Sequence, residues 1–220
     1  MKIVIQCAAS KVPDAGTLID ERARPVLFVA RPDFAPPSET CIYARPDDPA
    51  RHGKTWRDLL VDYNATGANR LGLLPAYRLY LHQVYGQLVD RYGVDNVYIL
   101  SAGWGLIQAD FLTPKYDITF SASADKYKKR SKRDRYNDFR MLPDDGDEDV
   151  VFFGGKDYLP LFCNLTREYR GRRFIYYNSA SPPESPGCML IRYHTKIKTN
   201  WHYWCARDFM EGKIALGSEL

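Results

Sequence analysis

Four short runs of apolar residues constrain the fold of this chain more than any other feature. Each run is unbroken and rich in β-branched or aromatic side chains, and the four occupy residues 3–5, 97–100, 150–153 and 174–177. A strand with one face in water alternates apolar and polar residues, whereas unbroken runs are typical of strands buried on both faces. The sequence therefore predicts a mainly parallel sheet, with residues 189–191 as a weaker candidate for a fifth strand.

Helical patterns lie between these runs. Residues 76–92 place Leu79, Val84 and Leu88 at helical spacing, and Gly93 follows, as is typical of a helix end. A second helix is predicted over residues 156–169. The alternation of strands and helices predicts an α/β fold, with the mainly parallel central sheet flanked by helices.

Two stretches break this pattern. Seven prolines prevent long regular elements between residues 12 and 58, which predicts an irregular, Pro-rich insertion that has a functional or capping role. Residues 121–149 form a charged loop region, first basic and then acidic. Neither stretch has the character of a separate domain, so we expect a single domain over residues 1–220.

Composition limits the classes of protein to which the chain can belong. Hydrophobic residues make up 45% and charged residues 26%, which is ordinary for a globular protein. No apolar stretch is long enough to cross a membrane, and the amino terminus becomes polar too early for a signal peptide, so we expect a cytoplasmic protein. The five cysteines are scattered without a Cys-x-x-Cys pair, which argues against a disulfide framework or zinc site. The acidic residues at 144–149 are adjacent in an irregular run and rarely converge on one ion, so no metal is expected.

Small polar loops follow the four predicted strands. They occupy residues 6–11, 101–106, 154–157 and 178–181. Ligands of open parallel sheets bind beyond the carboxyl ends of the strands, so these loops are the predicted site. None of them matches a Walker A loop or a Gly-x-Gly-x-x-Gly fingerprint, so no nucleotide cofactor is expected.

Two of these loops carry candidate functional groups. Ser10 and Lys11 together offer a hydroxyl and an ammonium for a phosphate, although a solvated turn has the same composition. The second loop continues to Tyr116 and Asp117. The Asp117 carboxylate is a candidate base or stabiliser of positive charge, and the Tyr116 ring is a candidate for stacking on a base. The alternative is that Asp117 caps a turn or the next helix.

A basic run lies beside the predicted site. Between residues 126 and 135 it contains Lys126, Lys128, Lys129, Arg130, Lys132, Arg133 and Arg135, against one acid. Such a run favours contact with the phosphates of DNA or RNA over the alternative of a solvated helix face.

The strand-end motifs together resemble a known family. Cys7-Ala8-Ala9-Ser10-Lys11 resembles a Cys-x-x-Ser-Lys signature, and Ser101-Ala102-Gly103-Trp104-Gly105-Leu106 followed by Tyr116-Asp117 resembles a Ser-Ala-x-x-Gly-Leu…Tyr-Asp signature. Both belong to small bacterial and phage proteins distantly similar to the YaaA peroxide-stress proteins. The chain also resembles an anti-phage DNA glycosylase that acts on glucosylated hydroxymethylcytosine. The motifs cover about a third of the chain, and Lys115 interrupts the usual Pro-Tyr-Asp.

The resemblance implies an enzyme that flips a modified base out of double-stranded phage DNA and breaks its N-glycosidic bond, leaving an abasic site in antiviral defence. It assigns catalysis to Asp117, with Tyr116 and Ser101. It assigns contacts with the substrate and its phosphate to Cys7, Ser10, Lys11, Trp104, Gly154, Gly155 and Asn178. The basic run would bind the DNA. The alternatives are a non-catalytic DNA-binding protein of the YaaA-like kind and a hydrolase of free nucleosides or nucleotides.

Overall fold

The computed structural model describes residues 1–217, which form twelve strands and five α-helices. The strands are β1 (Lys2–Gln6), β2 (Val26–Val29), β3 (Ile42–Ala44), β4 (Leu74–Pro75), β5 (Val97–Ser101), β6 (Gly105–Gln108), β7 (Leu112–Thr113), β8 (Tyr116–Asp117), β9 (Phe139–Arg140), β10 (Val150–Phe153), β11 (Arg173–Tyr177) and β12 (Met189–Arg192). The helices are α1 (Trp56–Ala65), α2 (Ala76–Leu79), α3 (Val84–Tyr92), α4 (Leu159–Leu165) and α5 (Trp201–Met210).

The central sheet has seven strands in the order β12-β11-β10-β1-β5-β6-β9. Neighbours run parallel except β5 and β6, which are antiparallel because the turn between them is too short for a crossover. The mainly parallel sheet is confirmed, each of the four apolar runs lies in a strand, and β12 confirms the fifth. β5 and β10 are buried along their whole length, as their unbroken apolar sequences require.

Helices cover the sheet and complete the α/β architecture. α3 packs on β1 and β5, α5 packs on α3 and β10, and α4 packs against β6. The core includes Ile3, Tyr85, Phe152 and Phe162, all of them fully buried. Within residues 1–217, no helix is long and apolar enough to cross a membrane.

The two predicted helices are shorter than their sequence patterns indicate. The helix predicted over residues 76–92 is broken between α2 and α3, because Tyr80 is extended and forms an antiparallel bridge with Lys11. The Leu81 amide donates to the Ser10 carbonyl at 3.3 Å, which takes it out of helical pairing. The helix predicted over residues 156–169 covers only Leu159–Leu165, because it begins beside Pro160 and ends at Thr166.

The Pro-rich insertion contains short elements rather than long ones. β2 and β3 form a small parallel sheet with β8, in the order β3-β2-β8. Val26 and Phe28 of β2 are buried in the main hydrophobic core, so the insertion packs onto the rest of the molecule. The pairing of β2 with β8 places the insertion beside Tyr116 and Asp117.

Candidate functional site

Four small polar loops meet at one edge of the central sheet. β11, β10, β1 and β5 are consecutive parallel neighbours, so their carboxyl ends point to the same edge. The side chains of the loops nevertheless divide between two cavities. Lys11 lines the first with Tyr116 and Asp117, whereas the loops after β10 and β11 line the second. The predicted single site is therefore two neighbouring sites.

The first cavity, which we call the Asp117 cavity, has a volume of about 520 Å³. The insertion supplies an uncharged wall that includes Thr17, Val26 and Leu27. The remaining wall is charged and aromatic, with Lys11, Lys115, Tyr116 and Asp117. A cavity of this size that combines apolar walls with a few charged groups is typical of a small-molecule or nucleotide site.

Lys11 lies at the base of this cavity and is half-buried. Its ammonium donates to the carbonyls of Ala8 at 3.1 Å and Ala9 at 3.4 Å, and it lies 4.1 Å from the centroid of the Tyr116 ring. Burial lowers the pKa of Lys11, and Cys7 and Asp117 oppose part of that shift. The ammonium is thus held in position by its own loop and is available to an anion in the cavity. The neighbouring Ser10 side chain is exposed.

The Tyr116 ring that contacts Lys11 belongs to a chain of buried hydroxyl groups. Ser101 donates to the Tyr116 hydroxyl at 2.8 Å, and that hydroxyl is 2.9 Å from the hydroxyl of Tyr80. The Ser101 oxygen also accepts the backbone amides of Gly103 and Trp104. Burial raises the pKa of Tyr80 and Tyr116 well above the usual value, so both hydroxyls stay protonated at neutral pH.

Asp117 forms an exposed ion pair at the mouth of the cavity. Its carboxylate is 3.0 Å from the Lys128 ammonium, which also pairs with Asp125 at 3.1 Å. The Asp117 side chain keeps 37% of its surface exposed, so it remains accessible to a ligand. These two carboxylates raise the pKa of Lys128. Because Lys128 belongs to the basic run, that run reaches the cavity directly.

Three of the predicted ligand-contact side chains are inaccessible in this structure. Trp104 is fully buried and its ring packs against Phe28, with centroids 5.0 Å apart, so it has no free face for a base. Ser101 is also fully buried, and its hydroxyl is used internally. Cys7 is 3% exposed, and its sulfur is 3.2 Å from the Tyr158 hydroxyl. Gly154 has no side chain to offer a ligand, and it lines the second cavity rather than the first.

Gly155 and Asn178 belong to the second cavity, which has a volume of about 340 Å³ and is also lined by Lys198 and Trp201. The Gly155 amide already donates to the side chain of Gln6 at 2.6 Å, and the Asn178 amide group donates to the Ile197 carbonyl at 3.2 Å. The resemblance assigned both residues to contacts with the substrate and its phosphate. The structure instead places them apart from Asp117.

The basic run is divided between internal and exposed charges. Arg130 is 4% exposed and forms a two-point ion pair with Asp138, and it also donates to the Ala102 carbonyl at 2.8 Å. The Arg130 guanidinium is therefore not exposed for the predicted contact with DNA, and its two terminal nitrogens bond inside the protein. Lys132 pairs with Asp157 at 3.1 Å on the surface.

The other basic side chains of the run lie at the surface. Lys126, Lys129, Arg133 and Arg135 are exposed. The Lys126 ammonium lies 3.4 Å from the centroid of the Phe34 ring. Residues 130–138 line a further cavity of about 560 Å³, which we call the basic cavity. The run therefore presents positive charge along a surface that begins at the Lys128–Asp117 pair.

Two important residues escaped prediction. Lys115 lines the Asp117 cavity, and its ammonium donates to the Pro13 carbonyl at 2.8 Å. Its position next to Tyr116 was the available signal. Arg57 is buried in α1 and donates to the carbonyls of Gly103 and Trp104, so it fixes the β5–β6 turn. No local pattern distinguishes Arg57 from an exposed helical arginine.

Comparison with protein-family models, curated proteins and solved structures finds no match to this chain. Within residues 1–217, no three His, Cys, Asp or Glu side chains are close enough together to hold a metal ion. The Asp117 cavity and the charges around it are therefore the features of the molecule that bear on its function.

Proposed function

We propose that this protein is a DNA glycosylase that removes a modified cytosine, glucosylated hydroxymethylcytosine in particular, from phage DNA. One observation carries the proposal: an accessible carboxylate, Asp117, lies at the mouth of a cavity of about 520 Å³ and is ion-paired to a lysine of the basic run. The cavity is a candidate receptor for the base, and the run is a candidate receptor for the phosphates. The strand-end signatures support the same assignment.

The chemistry requires a negative group near the sugar. When the N-glycosidic bond breaks, positive charge develops on the deoxyribose, as in other glycoside hydrolyses. Asp117 has the charge to stabilise that cation or to orient the attacking water. Exchange of Lys128 from Asp117 to a DNA phosphate would free the carboxylate as the substrate arrives. Lys11 and Lys115 would then contact the flanking phosphate or the departing base.

The cavity suits a base that has left the helix. A glycosylase must extrude its target nucleotide into a pocket, because the glycosidic bond is inaccessible within the stack. The uncharged wall from the insertion provides surface for a base, and the volume falls within the usual range for ligand sites of ~300–1,000 Å³. In this proposal the wall from the insertion would contact the sugar of a modified cytosine.

Base release from modified DNA tests this proposal. Purified protein is incubated with DNA that contains glucosylated hydroxymethylcytosine, and the released bases are identified by mass spectrometry alongside alkali-labile strand breaks. We expect release from modified but not from unmodified DNA. Asp117→Asn should lower the rate by roughly 10²–10⁴-fold, the usual contribution of a positioned carboxylate.

Asp125→Asn is the matched control. Asp125 also pairs with Lys128 but does not line the Asp117 cavity, so its loss should leave base release within about twofold of the wild type. Equal loss of activity in both variants, or no base release from any modified DNA, would contradict the proposal. Salt-sensitive DNA binding without a product would favour the non-catalytic DNA-binding alternative.

A hydrolase of free nucleotides is a second candidate, favoured by the internal pairing of the basic run. Lys128, Arg130 and Lys132 all contact carboxylates of the same chain, which reduces the charge left for DNA. Charge reversal at Arg133 and Arg135 distinguishes the two functions. It should abolish activity on DNA, but leave hydrolysis of a free nucleotide unchanged.

A further inference from the structure

Cys163 and Cys188 are far apart in the sequence but adjacent in the structure. Their sulfur atoms are 3.9 Å apart, and both side chains are half-buried. Cys163 belongs to α4, and Cys188 immediately precedes β12. The scattered spacing of the cysteines predicted no disulfide framework, and the two thiols come together only in the folded chain.

The surroundings of the pair are fixed by a buried arginine. Arg173 donates to the carbonyls of Pro186 at 3.3 Å and Gly187 at 3.1 Å, which holds the turn that leads into Cys188. The Cys188 amide donates to the Ser185 carbonyl at 3.2 Å and completes this turn. To form a covalent bond of ~2.05 Å, the two sulfurs must approach from 3.9 Å, and the Arg173 contacts hold the turn that carries Cys188.

One thiol of the pair is accessible and electrostatically favoured as the nucleophile. Cys163 lines a cavity of about 300 Å³ together with Arg167 and Arg173. A hydrogen bond from the Cys188 thiol and the positive charge of Arg173 lower the pKa of Cys163, although burial opposes that shift. The pKa of Cys188 shifts in the opposite direction, because the hydrogen bond with Cys163 and burial both raise it. This asymmetry is typical of an attacking and a resolving cysteine.

We propose that Cys163 and Cys188 form a redox-active dithiol, which a peroxide oxidises to an intramolecular disulfide. The Cys163 thiolate attacks one peroxide oxygen and breaks the O–O bond, which yields a sulfenic acid and, after protonation, one water. The Cys188 thiol then attacks that sulfur, loses its proton and forms the S–S bond as a second water leaves. The two thiols supply two electrons, which reduce the peroxide.

The disulfide would tie α4 to the start of β12 and enclose β11 and the loop that carries Asn178. Such a cross-link restricts the unfolded chain, so oxidised protein should melt roughly 5–10 °C above reduced protein. Asn178 lines the second cavity but not the Asp117 cavity. The cross-link would therefore restrict a loop of the second cavity and leave the Asp117 cavity unchanged. The proposal is independent of the glycosylase activity.

Mass spectrometry of the wild-type protein tests the proposal directly. After treatment with equimolar hydrogen peroxide, we expect the mass to fall by two hydrogen atoms, with a cross-linked peptide that joins Cys163 to Cys188. Dithiothreitol should restore the original mass. Persistent free thiols, a cross-link to another cysteine, or sulfinic acid formed without a disulfide would overturn the proposal.

Single variants then separate the two roles. In Cys188→Ser, oxidation should stop at a sulfenic acid on Cys163, which dimedone traps. In Cys163→Ser, the remaining Cys188 thiol should react with peroxide at least roughly tenfold more slowly than Cys163 does in the wild type. Cys41→Ser is the control, since Cys41 is also half-buried but lies outside the pair, and it should form the disulfide at the wild-type rate. Equal peroxide reactivity in Cys163→Ser and wild type would exclude Cys163 as the attacking thiol.

Discussion

Two ion pairs of the same basic run differ in burial and therefore in what they can do. Lys128 meets Asp117 at the mouth of a cavity, where the side chains are 26% and 37% exposed. Two residues further along, Arg130 meets Asp138 with side chains only 4% and 7% exposed. An exposed pair is weak and exchangeable, whereas breaking a buried pair leaves an uncompensated charge in a poorly solvated place.

Lys128 and Arg130 look alike in the sequence but have separate roles in the structure. Arg130 also donates to the Ala102 carbonyl, so it holds the charged loop region against the β5–β6 turn. Lys128 instead covers the carboxylate that we assign to catalysis. One residue of a run of like charges can thus form a buried structural ion pair, whereas another forms an exposed ion pair that a ligand can displace.

Loss of the buried clamp should have the largest effect on stability. Arg130→Ala leaves the Asp138 carboxylate buried and unpaired, so we expect the free energy of unfolding to fall by about 3–5 kcal/mol. Urea denaturation monitored by circular dichroism measures this change. Arg133→Ala removes an exposed arginine of the same run and should stay within about 0.5 kcal/mol of the wild type. Similar losses of unfolding free energy in Arg130→Ala and Arg133→Ala would mean that the buried ion pair contributes no more to stability than an exposed arginine.

Loss of exposed charge should weaken DNA binding without unfolding the protein. Arg133→Ala with Arg135→Ala removes two side chains that we expect to contact phosphates. The logarithm of the binding constant, plotted against the logarithm of the salt concentration, should become shallower by about 1 for each lost contact. Fluorescence anisotropy with a labelled duplex over a salt series measures the slope. An unchanged slope would place the DNA elsewhere on the molecule.

The exposed Lys128–Asp117 pair should contribute least to stability, and its contribution to the free energy of unfolding should depend on pH. Lys128→Met is expected to cost about 0.2–1 kcal/mol at low salt and less at high salt, because exposed pairs are screened. The folded protein raises the pKa of Lys128, so its stabilisation is present below the unfolded value of ~10.4 and is lost as the pH rises through the folded value.

Unfolding of wild type and Lys128→Met, compared between pH 8 and roughly pH 11 in parallel titrations, checks this behaviour. The difference between the two proteins should shrink above the unfolded pKa of lysine. A difference that stays constant over that range would mean that Lys128 stabilises the fold through packing rather than charge.

Much of the fold follows from local sequence. The unbroken apolar runs identified the central strands and their parallel pairing, because only strands buried on both faces tolerate such sequences. The break at Tyr80 was not predictable. The residues around it have helical spacing, but backbone hydrogen bonds with residues 10–12 take the chain out of the helix.

The candidate site was predictable only in part. The sequence placed Lys11 and Asp117 at the carboxyl edge of the sheet, and the structure brings both to one cavity. It could not show that Trp104 and Ser101 turn inward, because the same short polar motif serves an open loop and a buried turn. Nor could it separate Gly155 and Asn178 from that cavity.

The strands, the parallel sheet and the edge at which polar loops collect follow from the local hydrophobic pattern of the chain. In contrast, the folded arrangement is needed to know which charged side chains are exposed, which are buried in ion pairs, and which cysteines are adjacent. Those outcomes depend on contacts between residues distant in the chain, such as Arg130 with Ala102 and Cys163 with Cys188. Burial, which sets the strength of an ion pair and the pKa of a thiol, is fixed only when the whole chain has packed.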